Sequence, residues 1–463
     1  MASQDRKEIF ERMPVAKALA TMAIPTIISQ IINLIYNMVD AFYIGRTGNS
    51  YMMAATSLIL TLTMMNVSFS NLFGVGGGSL LARLMGAKKD DEARNVSAFS
   101  VYGAAGLSLL VSLLIGLFMD PVLTFLGASP QTIVYARQYT LYVIVIGSLP
   151  TVLSMTLAHL LRNSGNASQA SFGLSGGGIL NILLDPLFMF VIMPKGQEVA
   201  GAAIATLLSN IASCLYLFYA FRKASARAPL SLRFSEALKI GKNAGKLFAV
   251  GIPSAFLTGL LDVANISLNK LASAHSDLVL AGMGIVMKVE RIPNAVNIGI
   301  CQGMLPIVAY NYSSGDHERM KKTIHTARIS GLFISAISIL LLEIFARPVT
   351  QLFLSTSAGD QEAALLTIGY AAAFLRIRAL ASPVQFLNYS TSYTMQAMGQ
   401  GKATLLHAMV RILVFYIPLM YLLDKLFGEM GLAAGMPAGE ACGALFALTL
   451  LHFILKKNTK TAH

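Results

Sequence analysis

Long apolar runs alternate with short polar segments along the whole chain. From Ala18 to Val39 no residue carries a formal charge. A bilayer-spanning helix needs roughly 20 consecutive apolar residues, and runs of that length recur to the C-terminus. The pattern predicts twelve spans, at about 17–44, 51–84, 95–119, 132–162, 168–193, 200–221, 246–272, 278–312, 323–346, 361–396, 402–423 and 431–455. A β-barrel would instead show short segments of strict alternation. The expected fold is therefore an all-α, polytopic membrane protein with twelve transmembrane helices.

Composition agrees. Hydrophobic residues make up 55% of the 463 residues and charged residues 12%, against about a quarter charged in soluble domains. The net charge of +13 would suggest nucleic acid in a soluble protein. Placed on the spans it has a simpler reading. With the N-terminus inside, 24 of the 35 Lys and Arg fall in inner segments, including Arg6, Lys7, Arg12 and Lys17 before or at the first span. Six fall in outer segments, and five lie inside spans. The positive-inside rule then puts both termini in the cytoplasm, with no nucleic-acid partner. Cys214, Cys301 and Cys442 lie far apart within predicted spans, which suggests neither a disulfide framework nor a metal site. The polar segment 1–16 is followed by no small-residue cleavage motif, so the first span reads as uncleaved.

The chain also repeats. Ile24-Pro25 opens the first span and Ile252-Pro253 the seventh. "GVGGGSLLARLMGAKKDDEAR" (74–94) is loosely echoed by "GICQGMLPIVAYNYSSGDHER" (299–319). Gly165 corresponds to Gly399, Asp185-Pro186 to Ile417-Pro418, and "GAAIAT" (201–206) to "GLAAGM" (431–436). The offsets cluster near 230 residues. This gives two parallel, pseudo-symmetric six-helix lobes, 1–221 and 246–463, joined by a basic cytoplasmic linker, 222–245. Two similar bundles that can rock about their interface are a transporter design. The alternative is a duplicated helical scaffold with no transport role.

Ionisable residues inside spans cost at least about 2.5–3.5 kcal/mol at the bilayer centre and are functional candidates by default. Asp40 lies about 6–9 Å from the outer end of span one, Asp185 about 12 Å from that of span five, Thr206 about 9 Å down span six and Tyr139 about 10 Å down span four. Asn181 stands four residues before Asp185, on the same helix face. Five oxygen-bearing side chains from four spans thus share one depth. Two carboxylates with Asn, Thr and Tyr neighbours suit a cation site. Low dielectric favours a protonated carboxyl, and the same oxygens could ligate Na⁺. The plainer alternative leaves both acids near the headgroups.

The second half lacks a matching acid pair. It holds Asp262, Lys288, Glu290, Arg291, Arg376, Arg378, Arg411 and Glu440 inside predicted spans. These form either a paired network locking helices together or the polar wall of a substrate cavity. One specific expectation is that Glu290 pairs with an Arg of span ten. The "GGG" runs at 76–78 and 176–178 lack the Lys-Ser/Thr of a phosphate loop and read as close helix packing. Pro25 marks a kink where a helix can bend. No nucleophile–base pair or metal cluster appears in the spans, so no enzyme is expected.

At this point the residues resemble a known family. "IPTIISQIINLIYNMVDAFYIGR" is similar to the first helix of the MATE (multidrug and toxic compound extrusion) transporters, with Pro25 and Asp40 in the family's positions. "NILLDPLFMF", with Asn181, Asp185 and Pro186, resembles the fifth helix, and "GAAIAT", with Thr206, the start of the sixth. Tyr139 is a looser match, with Tyr142 as an alternative. The likeness covers the whole chain and points to the prokaryotic DinF-like or MepA-like branch. It implies an inverted V of two lobes around a central cavity. It also implies a bacterial inner-membrane antiporter that exports amphipathic organic compounds against H⁺ or Na⁺ and needs no other cofactor. In the family's logic Asp40 and Asp185, with Asn181, Thr206 and Tyr139, take the cation, and the first helix bends at Pro25. The chain is expected to act as a monomer in the bilayer. A lipid-linked glycan flippase of the same superfamily, or an exporter of an anionic metabolite, is the alternative. Asp262 and the Arg376/Arg378 pair depart from the NorM-like branch, which puts a C-lobe cation site in doubt.

Overall fold

The computed structural model describes residues 8–352 and 361–460; Arg6 and Lys7 lie outside them. Among the described residues, twelve long helices form the fold. In chain order they are α1 (Val15–Arg46), α2 (Ser50–Gly86), α3 (Asp90–Leu117), α4 (Ile133–Ile146 and Ser148–Asn163), α5 (Ala167–Ile192) and α6 (Glu198–Ser225). Then follow α7 (Asn243–His275), α8 (Asp277–Ser314), α9 (His317–Gln351), α10 (Glu362–Ala379 and Ser382–Ala397), α11 (401–427) and α12 (429–460). The predicted spans fall inside these helices to within a few residues. The helices are longer because polar ends continue past the apolar stretch. At α9, for example, Asp316 caps the start by accepting from the Arg319 N–H at 2.9 Å.

The α11/α12 pair is continuous in hydrogen bonding but not in direction. Gly428 breaks it with φ +60° and ψ −145°, a conformation that only glycine adopts cheaply. Beyond the break a glycine every fourth residue faces α11. A Cβ on Gly435 would stand 2.6 Å from Met420 Cα, and one on Gly439 2.6 Å from Tyr416 Cα. As the chain advances along α12 its neighbours retreat along α11. The two are therefore an antiparallel hairpin held at backbone contact by a small-residue stripe.

The two lobes share more than helix count. α4 and α10 are each bent in the middle, by 47° and 49°. Gly165 after α4 and Gly399 after α10 both take positive φ, 92° and 75°. A left-handed turn also ends α2 at Lys88 and α8 at Gly315. Each of these pairs is separated by close to the repeat length read from the sequence.

The lobes meet across α1/α8 and α2/α7. A Cβ on Gly303 of α8 would lie 2.6 Å from Ala23 Cα of α1, and one on Gly76 of α2 would lie 2.9 Å from Gly251 Cα of α7. Gln30 donates to Gln302 across the same seam at 3.2 Å. Ser79 of α2 donates to the Gln396 carbonyl of α10 at 2.6 Å. These contacts lie toward the end that carries the 226–242 connection and residues 8–14, here termed the basic end. Three helical turns along α8 from Gly299, on the same face, Lys288 is exposed; Asp262 of α7 is exposed three turns from Gly251. The lobes have parted there, which gives the arms of the V. The glycine runs behave as close-packing devices: Gly77 and Gly78 abut Ser100 and Asn163, while Gly177 and Gly178 abut Ser213 and Tyr36.

Candidate functional site

A cavity of about 110 Å³ opens inside the N-terminal lobe among α1, α2, α4, α5 and α6. Asp40, Tyr139, Asn181 and Thr206 all line it. α5 brings the second acid. Asn181 and Asp185 are one turn apart, and the Asn181 amide N–H donates to Asp185 Oδ1 at 3.0 Å and to Thr206 Oγ1 at 3.3 Å. Asp185 is fully buried and Asn181 nearly so. Tyr139 is buried as well and its hydroxyl reaches Thr206. Tyr142, the alternative tyrosine, does not line the cavity. The five residues singled out by depth are thus brought into one polar cluster.

What the cluster lacks is positive charge. Asp40 Oδ1, Asp185 Oδ2 and Asn181 Oδ1 are buried acceptor atoms with no hydrogen-bond partner among the described residues. Neither Asp40 nor Asp185 has a Lys, Arg or His within ion-pair distance there. A buried carboxylate without a donor is costly, so the arrangement favours whatever brings positive charge, either a proton on a carboxyl or a small cation. Among the described residues no three His, Cys, Asp or Glu side chains converge. An ion held here would draw on the neutral oxygens of Asn181, Thr206 and Tyr139 beside the acids.

Several wall residues escaped sequence reading. Tyr36 stands one turn before Asp40 on α1, and Asn210 and Ser213 follow Thr206 by one and two turns. Asn210 donates to Thr151 Oγ1 at 2.9 Å, tying α6 to α4. Ser148 donates to Asn66 Oδ1 at 2.9 Å, tying α4 to α2. The i, i+4 extension of the faces of Asp40 and Thr206 would have found Tyr36 and Asn210. The α2 residues carry no such signal.

The charged residues of the C-terminal lobe divide into three groups. Arg378 grips Glu290 with two parallel bonds, both 2.8 Å, which is the expected pairing between span ten and Glu290. Arg411 grips Glu440 at 2.9 and 2.6 Å. Glu440 also accepts from Asn388 at 2.6 Å, and His407 meets Asn388 at 3.0 Å. The Arg411 guanidinium lies 5.0 Å from the centre of the Tyr389 ring. Four of the eight residues therefore form buried, paired locks between α8 and α10 and between α11 and α12. Arg376, two residues from Arg378, points away and meets Glu343 of α9 at an exposed position. Asp262, Lys288 and Arg291 are exposed, with no ion pair among the described residues.

With this geometry in hand, the MatE family profile matches residues 25–187 and 250–422, one stretch in each lobe. The chain belongs to the MatE family. Among curated relatives of this MatE protein, the multidrug export protein MepA of Staphylococcus aureus (strain MRSA252) is 27% identical over 450 residues, covering 97% of this chain and 96% of that one. MepA of Staphylococcus haemolyticus is 28% identical over 451 residues with the same coverage. Among solved structures, a MATE crystal structure in complex with MaL6 superposes with a TM-score of 0.89 at 22% identity, covering 99% of both chains. The outward-facing conformation of a multidrug resistance MATE family transporter of the MOP superfamily reaches 0.88 at 22% identity, again over 99% of both. These neighbours share the MATE fold of two six-helix lobes.

Proposed function

We propose that this MatE protein is a secondary active exporter of amphipathic organic compounds, driven by H⁺ or Na⁺ moving inward. The observation that carries the reading is the cluster of unpartnered oxygens on Asp40 and Asn181, which line the N-lobe cavity, and on Asp185 beside them. Two carboxylates left without positive charge form a cation-coupling site, with Thr206 and Tyr139 completing its wall. The names of the curated MepA relatives, multidrug export proteins, support the substrate class. The lobes are 1–221 and 246–463, and the basic linker 222–245 with both termini faces the cytoplasm of a bacterial inner membrane, in keeping with the 24 to 6 distribution of basic residues. Pro25 removes a backbone donor inside α1, which gives the Asp40-bearing half of that helix a place to bend. The exposed Asp262, Lys288 and Arg291 form the polar wall that meets substrate between the lobes.

The test is efflux of a fluorescent cationic dye from vesicles under an imposed pH gradient or an imposed Na⁺ gradient. One of the two gradients should drive wild-type efflux, and Asp40→Asn and Asp185→Asn should each abolish it. Wild-type rates in both variants would overturn the coupling role. A second reading has one observation in its favour: Lys288 and Arg291 give the cleft wall an excess of unpaired bases, which suits substrates with anionic groups. Efflux of the dye that is inhibited better by an organic anion than by a cation would select it.

A further inference from the structure

At the basic end the lobes close over a second, much smaller cavity, about 10 Å³, lined from both sides of the seam. α4 contributes His159, Arg162 and Asn163; α8 contributes Gln302 and α10 contributes Tyr393. Arg162 is 3% exposed. It donates no hydrogen bond and makes no ion pair with any described residue, and its Nε is buried without a partner. Arginine does not shed its proton in a protein, so this guanidinium stays charged where it is enclosed. Its neighbours do not neutralise it. Arg83 and Arg328 each also leave one buried nitrogen unpartnered, and neither has a carboxylate within ion-pair distance among the described residues. A buried charge without a counter-charge is among the least favourable features a fold can carry.

We propose that this seam cavity is a binding site for a single halide-class monovalent anion, held by Arg162 of one lobe and by Tyr393 of the other, with Gln302 orienting the Tyr393 hydroxyl. Size selects the class. A space of about 10 Å³ suits one small occupant, which favours a monatomic anion over phosphate, sulfate or an organic carboxylate. The donors are placed for it. Gln302 uses its oxygen to accept from Gln30 and reaches Tyr393 with its amide, so the Tyr393 hydroxyl proton and the Arg162 Nε–H are free to point at the occupant. Asn163 uses its amide N–H on the His159 carbonyl and leaves its own oxygen unpartnered. A water would satisfy Nε and that oxygen but would leave the guanidinium charge uncompensated. An anion neutralises it. Because its ligands come from α4 and α10, one in each lobe, the anion stabilises the arrangement in which this end is closed, and parting the lobes here releases it to water.

The intact protein in detergent tests this without any transport assay, so failure here is separate from failure of the export reading. Its melting temperature is measured at constant Na⁺ and ionic strength while gluconate is replaced by chloride or bromide. A saturable rise is expected in wild type and absent in Arg162→Met. Bromide-soaked crystals should give an anomalous peak between Arg162 and Tyr393. Should Arg162→Met not fold, Tyr393→Phe serves instead. Loss of one hydrogen bond should raise the half-saturating halide concentration by up to about tenfold. Melting that ignores halide in wild type, or the same halide-dependent rise in Arg162→Met, overturns the proposal. So does a cavity with no anomalous peak, which would mean that water fills it.

Discussion

Phe10 stacks face to face on Tyr310, with ring centres 4.9 Å apart and planes 11° from parallel. The first residue precedes α1 in the N-terminal lobe; the second ends α8 in the C-terminal lobe. Around the stack, Arg319 donates to the carbonyls of Phe10, Met13 and Ile9 at 2.7, 2.6 and 3.1 Å, and Tyr310 donates to Glu11 at 2.5 Å. The segment before α1 is thereby clamped to the opposite lobe. Phe10→Ala removes a fully buried ring, a change worth about 3–5 kcal/mol in a packed core. The expected result is undocking of residues 8–13, read as accelerated amide hydrogen exchange confined to that segment. Unchanged protection there would mean that the polar bonds from Arg319, Tyr310 and Asn311 suffice to hold it.

The Glu290–Arg378 lock makes a sharper stability prediction. Glu290→Gln leaves a buried guanidinium half-paired and should cost about 3–5 kcal/mol. Replacing both partners by Met should recover most of that loss, because breaking a buried pair costs more than removing it. Melting temperatures of wild type, Glu290→Gln and the double Met variant, in one detergent, check the ranking.

The α11/α12 hairpin rests on backbone contact. Gly435→Leu would drive a side chain into Met420, whose Cα already stands 2.6 Å from a built Cβ. The expected outcome is loss of monodisperse protein on size-exclusion chromatography. Gly428→Ala meets nothing within 4 Å and pays only for its backbone conformation, about 1–3 kcal/mol, so it should fold with a lowered melting temperature.

Asn181 ties Asp185 of α5 to Thr206 of α6. Asn181→Leu keeps the approximate volume but removes the bonds to Asp185 and Thr206. It should lower gradient-driven dye efflux by about tenfold or more, the weight of a hydrogen bond to a charged group, while the protein still reaches the membrane at wild-type level. Normal efflux would place the coupling step away from α5.

At the basic end, Glu92 accepts from Asn243 at 2.8 Å and pairs with Lys89 at 3.0 Å. The Asn243 bond, followed by the Lys89 contact, holds its carboxyl below the ordinary glutamate value. A lowered folded-state value means that this contribution is fully present above the unfolded glutamate value and is lost as pH falls through the folded one. Melting followed from pH 6 downward should fall less steeply in Glu92→Gln than in wild type. The difference should be modest, because the pair is partly exposed.

Some of this was legible residue by residue. Apolar run length set all twelve spans, because every backbone N–H and C=O in hydrocarbon must be satisfied within its own helix. That forces a one-dimensional signal strong enough to count. The internal echo fixed the pairing of helices between lobes, and helix rise placed Asp40, Tyr139, Asn181, Asp185 and Thr206 at one depth. Depth along a helix is a property of sequence position, so it could be read before any contact was known.

Rotation about the helix axis and the approach of distant helices could not be read that way. Arg376 and Arg378 are identical in type and two residues apart, about 200° around the helix, yet only Arg378 meets Glu290. The eight charged residues of the second half were a single set in the sequence. Packing of α8, α10, α11 and α12 made locks of four and left the other four exposed. The seam cavity around Arg162 joins residues up to 318 positions apart, Val75 to Tyr393, and no periodicity links them. Sequence by itself determined which segments cross the bilayer, how they repeat and how deep each polar group lies, because those depend on local length and hydropathy. Only the tertiary structure decided which groups meet, because that depends on the phase of each helix against its neighbours and on where two lobes touch.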